Sequence, residues 1–410
     1  MNPSKNKPAR SGEQAGDAPR RRRLHPRARR WAFAGAAVLV GLLAAMLLLE
    51  IVMRVADVRP MRFRPPRWLA LRDGEYVDLG SSGEGRIKRA SEFAAQGIRM
   101  GEWVPGAECK LAYDSNPRGY FDEDNAVPFR FNALGMRGPE AAEQKPPGTV
   151  RILGLGDSFT LGEGVREEDT YLRRLEATLN AAAAGRYEVL NAGVSGYNTY
   201  DEVLVLDRRW LEMGLEPDAV LIGFYLNDAY DDQALANHGQ ALGIYLAPDG
   251  WAEYSFLADY VQHAWRARAY RNDLEAFYRQ PFFASAHRYR FDEGRQLDWP
   301  ACQGALGRAA ELARERGFSL GLVIFPELYK LNADYPFASV HRLVGQTCER
   351  LGIPVLDLLD AYRDCGMSES DLWVHPSDHH PNEVGHRIAA EAIEPFVRQR
   401  LLPAIRNAVD

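Results

Sequence analysis

The chain has 410 residues, of which 46% are apolar and 26% charged, with 24 Pro and 36 Gly. That balance belongs to a folded globular protein and excludes collagen, a coiled coil and wholesale disorder. The net charge of −6 hides an asymmetry: residues 1–30 carry ten Lys and Arg against two acids, leaving 40 basic and 54 acidic residues beyond, a body at −14. A body this acidic argues against nucleic acid as a partner, because backbone binding needs a basic footprint.

Residues 1–30 read as a basic, disordered cytoplasmic tail. Residues 31–49 are nineteen positions without a charge, about 28 Å as a helix at roughly 1.5 Å per residue, enough to cross a bilayer. A buried core helix would show a polar face, and this segment has none. A cleaved signal would have a shorter apolar region and a small-x-small site, which residues 47–53 do not offer. The expectation is an uncleaved transmembrane anchor over 31–53, attaching the protein to a membrane. Residues 20–30 hold seven Arg and residues 50–60 only Arg54 and Arg59. By the positive-inside rule this places the N-terminus in the cytoplasm and the large domain in the periplasm or outside the cell, although Arg62, Arg64, Arg67 and Arg72 soften the contrast. Cys109, Cys302, Cys348 and Cys365 form no CxxC pair, and their spacing does not say whether they bridge.

Residues 54–148 are rich in Pro, Gly and Arg with weak periodicity, and are expected to form a linker and a small irregular subdomain. From residue 149 short apolar runs alternate with helical stretches. Strands are expected at 150–156, 187–191, 219–225, 320–325 and 354–358, and helices at 170–183, 200–213, 300–316, 340–351 and 382–402. This alternation is the signature of an α/β fold, a mostly parallel sheet covered by helices, spanning 149–405. The segment 229–299 interrupts it with fifteen Tyr, Trp and Phe residues. A connection of that length carries function or has its own helices. A substrate-selecting lid and a satellite core are both consistent with it.

Ligands of open α/β sheets bind at the carboxyl ends of the strands, and polar and glycine residues recur there. Gly156, Asp157 and Ser158 follow the first strand, Asn191 to Gly196 end the second, and Asn227 and Asp228 follow the third. Asp378, His379 and His380 lie near the end of the chain. These are the parts of an acyl-transfer site. A serine hydroxyl needs a base to take its proton, and the base needs a carboxylate to hold its tautomer. Ser158, His380 and Asp378 suit these roles. The backbone N–H groups of Ser158 and Gly196 and the Asn227 amide suit an oxyanion hole, where one donor is worth about 3 to 4 kcal/mol.

With these residues in place, the chain resembles the SGNH subgroup of the GDSL esterase and lipase family over residues 150–402. Gly156, Asp157 and Ser158 resemble its nucleophile block, and Asn191 to Gly196 with Tyr197, Asn198 and Thr199 its glycine block. Asn227 with Asp228 resembles its asparagine block, and Asp378, His380, Pro381 and Asn382 its acid and base block. The resemblance extends to membrane-anchored bacterial members, in which a segment like residues 132–138 precedes the nucleophile block. It implies a flavodoxin-like three-layer α/β/α fold and a serine esterase with no metal and no cofactor. Two features depart from the pattern. The family often spaces acid and base as Asp-x-x-His, whereas here Asp378 and His380 give Asp-x-His. The usual Gly-Gly before the Asn-Asp pair is Tyr225 and Leu226, which implies a narrower pocket.

Each residue has a competing structural reading. Ser158 or Asp157 would also cap a helix, Gly196 would serve an ordinary turn, and Asn227 would satisfy buried backbone. His379 rivals His380 as base, and His375, Asp378, His379 and His380 together would suggest a metal site, although no distant ligand motif accompanies them. His386 reads as structural. The expected function is hydrolysis of an ester, such as an acyl ester of an envelope glycan or lipid, through an acyl-serine intermediate. The alternatives are an O-acyltransferase acting on an envelope polysaccharide and a non-catalytic envelope scaffold that keeps the fold.

Overall fold

A computed structural model of the chain describes residues 26–60, 66–72, 75–79, 87–96, 101–182, 186–229, 248–283, 299–332 and 334–403. The tail expected at 1–30 lies outside these residues except for its last five, as do large parts of the 229–299 insertion. The chain forms two units, one of residues 1–60 with 249–261 and one of residues 61–248 with 262–410.

In the first unit the charge-free run forms the middle of one helix, α1 (Pro26–Val55), long and apolar enough to cross a membrane. Its last turns are bonded to a distant part of the chain. Glu50 accepts hydrogen bonds from Ser255 Oγ at 2.9 Å and from the backbone N–H groups of Phe256 at 3.0 Å and Leu257 at 2.9 Å. Arg54 donates to Glu50 at 2.7 Å and to the Tyr254 carbonyl. The first N–H groups of a helix have no partner within it. Here Glu50 satisfies two of them for the helix Phe256–Phe283.

In the second unit, the described residues between 66 and 130 include regular strands that their composition does not suggest. Strands β1 (Arg67–Arg72), β2 (Glu75–Asp78), β3 (Glu108–Ala112) and β4 (Ala126–Arg130) form an antiparallel sheet in the order β2-β1-β3-β4. Trp68, Trp103, Phe129 and Phe131 pack together beside it, with Trp103 stacked on Phe131 at 4.4 Å between centroids.

The main sheet contains β5 (Val150–Gly156), β6 (Tyr187–Asn191), β7 (Ala219–Phe224), β8 (Ser319–Ile324) and β9 (Val355–Asp357), all parallel, in the order β9-β8-β7-β5-β6. Every residue of β7 and all but the first of β5 and β8 are buried, as strands covered on both faces must be. Helices flank the five-stranded sheet, the three-layer α/β/α arrangement that the resemblance implies. Helix α2 (Ser158–Leu161) follows β5, and then come α3 (Tyr171–Ala182), α4 (Thr199–Val205), α5 (Trp299–Arg316), α6 (Ala338–Leu351) and α7 (Glu383–Phe396). Helix α3 packs on α7, α4 on α5, and α5 on α6.

Two helices expected as continuous change pitch. Helix α4 gives way to a π turn at Leu206–Trp210, and α7 to another at Val397–Leu401. Pro395 lies just before the second, where its missing N–H interrupts the regular ladder. In the order of the sheet, β5 and β7 are neighbours whose connections leave toward opposite edges. That is the switch point at which a ligand crevice opens.

All four cysteines are free, and Cys109, Cys302 and Cys348 are buried. Burial pushes the Cys109 and Cys348 thiols up to about 12, away from the reactive thiolate. In the native protein a thiol reagent such as DTNB is therefore expected to reach Cys365 alone, and all four after unfolding. A native titre above one, or fewer than four thiols in denaturant, would contradict this.

Candidate active site

The end of β5 starts the site. Asp157 is fully buried, and its carboxylate accepts the Phe159 N–H at 2.8 Å, capping α2 and setting Ser158 at the first helical position. The turn after β6 comes close to α2 because position 193 is glycine. A Cβ there would lie 2.3 Å from the Leu161 backbone nitrogen. Asn191 locks this approach by donating to the Thr160 carbonyl at 2.9 Å and accepting the Gly193 N–H at 3.0 Å. Gly196, next in the same turn, has a left-handed φ of 84°, a conformation that costs glycine nothing.

The other half of the site comes from a short hairpin, β10 (Trp373–His375) and β11 (Asp378–Pro381), immediately before α7. Asn382 caps α7 by accepting the Val384 and Gly385 N–H groups at 2.9 and 3.1 Å. Asp378 and His380 share a strand, where residues two apart project from the same face, and this gives the Asp-x-His spacing its geometry. His380 Nδ1 lies 2.5 Å from Asp378 Oδ1, and His380 Nε2 lies 2.7 Å from Ser158 Oγ. The fold thus brings Ser158, His380 and Asp378 into one hydrogen-bonded line. Asn227, in the turn Leu226–Ala229 after β7, donates to Asp157 Oδ2 at 2.8 Å.

The competing residues lie elsewhere. His379 stacks on Trp373 at 3.9 Å between centroids. His375 is held between Ser115 and Ser377 at 3.0 and 2.6 Å. His386 is buried and accepts the Tyr171 N–H at 3.1 Å, joining α7 to the start of α3. Among the described residues no three His, Cys, Asp or Glu side chains are grouped to hold a metal ion. Tyr225, where the family pattern has glycine, stacks on Phe159 at 4.0 Å between centroids, and its hydroxyl donates to the buried Glu327.

Three residues that pattern reading passed over complete the surroundings. Tyr113, just past β3, donates its hydroxyl to Asp378 Oδ2 at 2.7 Å. Glu163 places Oε2 4.0 Å from His380 Nε2 and accepts the Ser195 hydroxyl at its other oxygen. Arg137 is buried, and its guanidinium donates to the carbonyls of Leu161, Gly162 and Val165 at 2.8, 2.6 and 2.6 Å, so it clamps the loop that carries Glu163. Neither Tyr113 nor Glu163 carries a local signature. For Arg137, the segment at 132–138 had pointed to the right neighbourhood.

Burial and neighbouring groups compete in shifting the titratable side chains. Burial pushes Asp157 up to about 6 and holds Glu202 and Asp228, close behind it, well above the usual carboxylate range. For Asp378 burial acts in the same direction, but His380 and the Tyr113 hydroxyl outweigh it and bring the carboxyl down to about 2. Burial alone would favour a neutral His380. Asp378, Glu163 and Asp157 overcome that and push the imidazole up to about 10.

The profile of the GDSL-like Lipase/Acylhydrolase family matches residues 155–388. No curated protein matches the chain. Among solved structures it is similar to Axe2, an acetylxylan esterase from Geobacillus stearothermophilus, at 19% identity and a TM-score of 0.38, over 61% of this chain and 94% of that one. LAE5, an α/β hydrolase from the metagenome of Lake Arreo, aligns at 18% identity and a TM-score of 0.38 over 61% of this chain and 94% of its own. TesA aligns at 16% identity and a TM-score of 0.37 over 61% of this chain and 99% of its own.

Replacing Arg137 with Met would leave the Val165 carbonyl without a donor, at about 1 to 3 kcal/mol, and the Leu161 and Gly162 carbonyls with only their longer bonds from Asn191 Nδ2 at 3.4 Å and the Val165 N–H at 3.3 Å. Arg137→Met is therefore expected to lower unfolding free energy by about 2 to 3 kcal/mol. Urea denaturation measures it, and a loss under about 1 kcal/mol would show that the clamp is dispensable.

Proposed function

The chain belongs to the GDSL-like lipase/acylhydrolase family and is an ester-hydrolysing enzyme, and from that premise we propose that Ser158 is its nucleophile, His380 its general base and Asp378 the acid that orients the base. The observation that carries this reading is the 2.7 Å contact between His380 Nε2 and Ser158 Oγ, with Asp378 on the opposite ring nitrogen.

Ser158 Oγ attacks the ester carbonyl as His380 takes its proton. The resulting oxyanion is met by the N–H groups of Ser158 and Gly196 and by the Asn227 side chain, which has two donor hydrogens and uses one on Asp157. His380 then returns the proton to the departing alcohol, leaving an acyl-serine. A water, deprotonated by His380, releases the acid and restores Ser158. The body lies outside the cytoplasm behind a retained anchor, so an acyl ester of an envelope glycan or lipid is the proposed substrate. Retention of the anchor is supported by Glu50: a cleaved signal would take with it the cap of the helix Phe256–Phe283.

An organophosphonate probe is expected to label Ser158, and Ser158→Ala to lose both labelling and about 10⁴-fold or more in kcat. Full hydrolysis by a folded Ser158→Ala variant would overturn the assignment.

The rate should also respond to Glu163 with a defined sign. The base works as a neutral imidazole, so activity falls as the pH drops through its pKa. The carboxylate of Glu163 is among the groups that favour the charged ring. Glu163→Gln keeps an acceptor for Ser195 and removes the charge, so the acid limb of kcat/KM against pH is expected to move to lower pH. Glu163→Asp should retain more of the original profile. An acid limb that stays in place, or moves upward, would remove Glu163 from this role.

A further inference from the structure

The first unit exposes large side chains that the reaction does not use. Trp251 is 87% exposed, Tyr254 74%, Tyr260 49% and Val261 59%. They belong to residues 250–261, a single 3-10 turn followed by the start of the helix Phe256–Phe283. Solvated indole and phenol rings this exposed need a reason.

The position of the segment along the chain's apolar helix supplies one. The carbonyl of Tyr254 accepts from Arg54, and the N–H groups of Phe256 and Leu257 are bonded to Glu50. Arg54 and Arg59 also lie over the Phe256 ring, 5.0 and 4.2 Å from its centre. Glu50 is the first charge after residues 31–49, so it marks where that helix leaves hydrocarbon. One helical turn is about 5.4 Å, which places everything bonded to Glu50 and Arg54 at the level of the lipid headgroups. Trp and Tyr are enriched at that depth, because each has an apolar ring and a polar tip. A protein partner covering these residues would have to occupy the same layer as the lipid around the helix exit.

We propose that residues 250–261 form a membrane-surface element, clamped to the end of α1 by Glu50 and Arg54, whose Trp251, Tyr254, Tyr260 and Val261 side chains enter the headgroup region of the bilayer. This rests on the reading of α1 as a retained anchor. It adds a second, non-spanning point of attachment, and it sets the start of the helix Phe256–Phe283 at the lipid surface.

The test uses the full chain in phosphatidylcholine nanodiscs, with Cys365→Ser removing the one thiol that is not buried. An environment-sensitive NBD label is placed in turn through Trp251→Cys, Val38→Cys in the middle of α1, and Glu391→Cys on the exposed face of α7. The label at 251 is expected to be quenched at least about twofold by lipid carrying a shallow doxyl group and little by aqueous iodide. The label at 391 should behave in the opposite way. Iodide quenching at 251 with doxyl quenching at 38 would overturn the proposal while leaving the anchor intact. Protection of 251 from both quenchers would assign the surface to a protein contact and also overturn it. Absence of doxyl quenching at 38 would remove the anchor, and this inference with it.

Discussion

A single hydrogen bond, between Ser158 Oγ and His380 Nε2 at 2.7 Å, joins two residues separated by 222 positions. Its two ends are supported differently. Ser158 is set by local backbone chemistry: a buried strand, a capping aspartate and a four-residue helix closed by the left-handed Gly162. His380 depends on a hairpin of only three and four residues, and a hairpin that short has little stability of its own. It gains order from Asn382, which bonds both to the start of α7 and to the Asp371 and Trp373 carbonyls.

Placing carboxylates out of water governs the rest of the site. Burying an ionised group is costly unless it is paired and hydrogen-bonded. Asp378 meets that requirement through His380 and Tyr113 and stays ionised. Asp157, Glu202 and Asp228 crowd behind Ser158, and burial there raises all three above the usual carboxylate range. Neighbouring carboxyl groups are thereby shifted in opposite directions. Negative charge from Asp378 and Glu163 faces His380, where the proposed mechanism forms a positive ring.

The segment before the hydrolase fold, from Trp103 to Arg137, has a mechanical part in this. Tyr113 reaches Asp378 from the end of β3, Trp103 donates its indole N–H to the Gly193 carbonyl at 3.1 Å, and Arg137 clamps the loop at 161–165. Together these contacts brace the acid, the glycine turn and the Glu163 loop. Composition had made residues 54–148 look irregular because Pro and Gly are frequent there and the strands are short. Its buried aromatic residues pack against partners far along the chain, which periodicity does not register.

The amino-acid sequence by itself determined the order of the parallel strands along the chain, the polar turns at their ends and the candidacy of Ser158, Asp378 and His380 for the proposed reactive set. Those features rest on local physics: runs of apolar residues, capping side chains, glycines where backbones meet, and the two-residue period of a strand. Tertiary structure alone decided that Tyr113 bonds the acid from 265 positions away, that Glu163 faces the imidazole, that Arg137 spends its charge on backbone carbonyls, and that Glu50 caps a helix some two hundred residues later. Each depends on which distant segments meet once the chain has folded, and a side chain's partner across space leaves no periodic trace in its own neighbourhood.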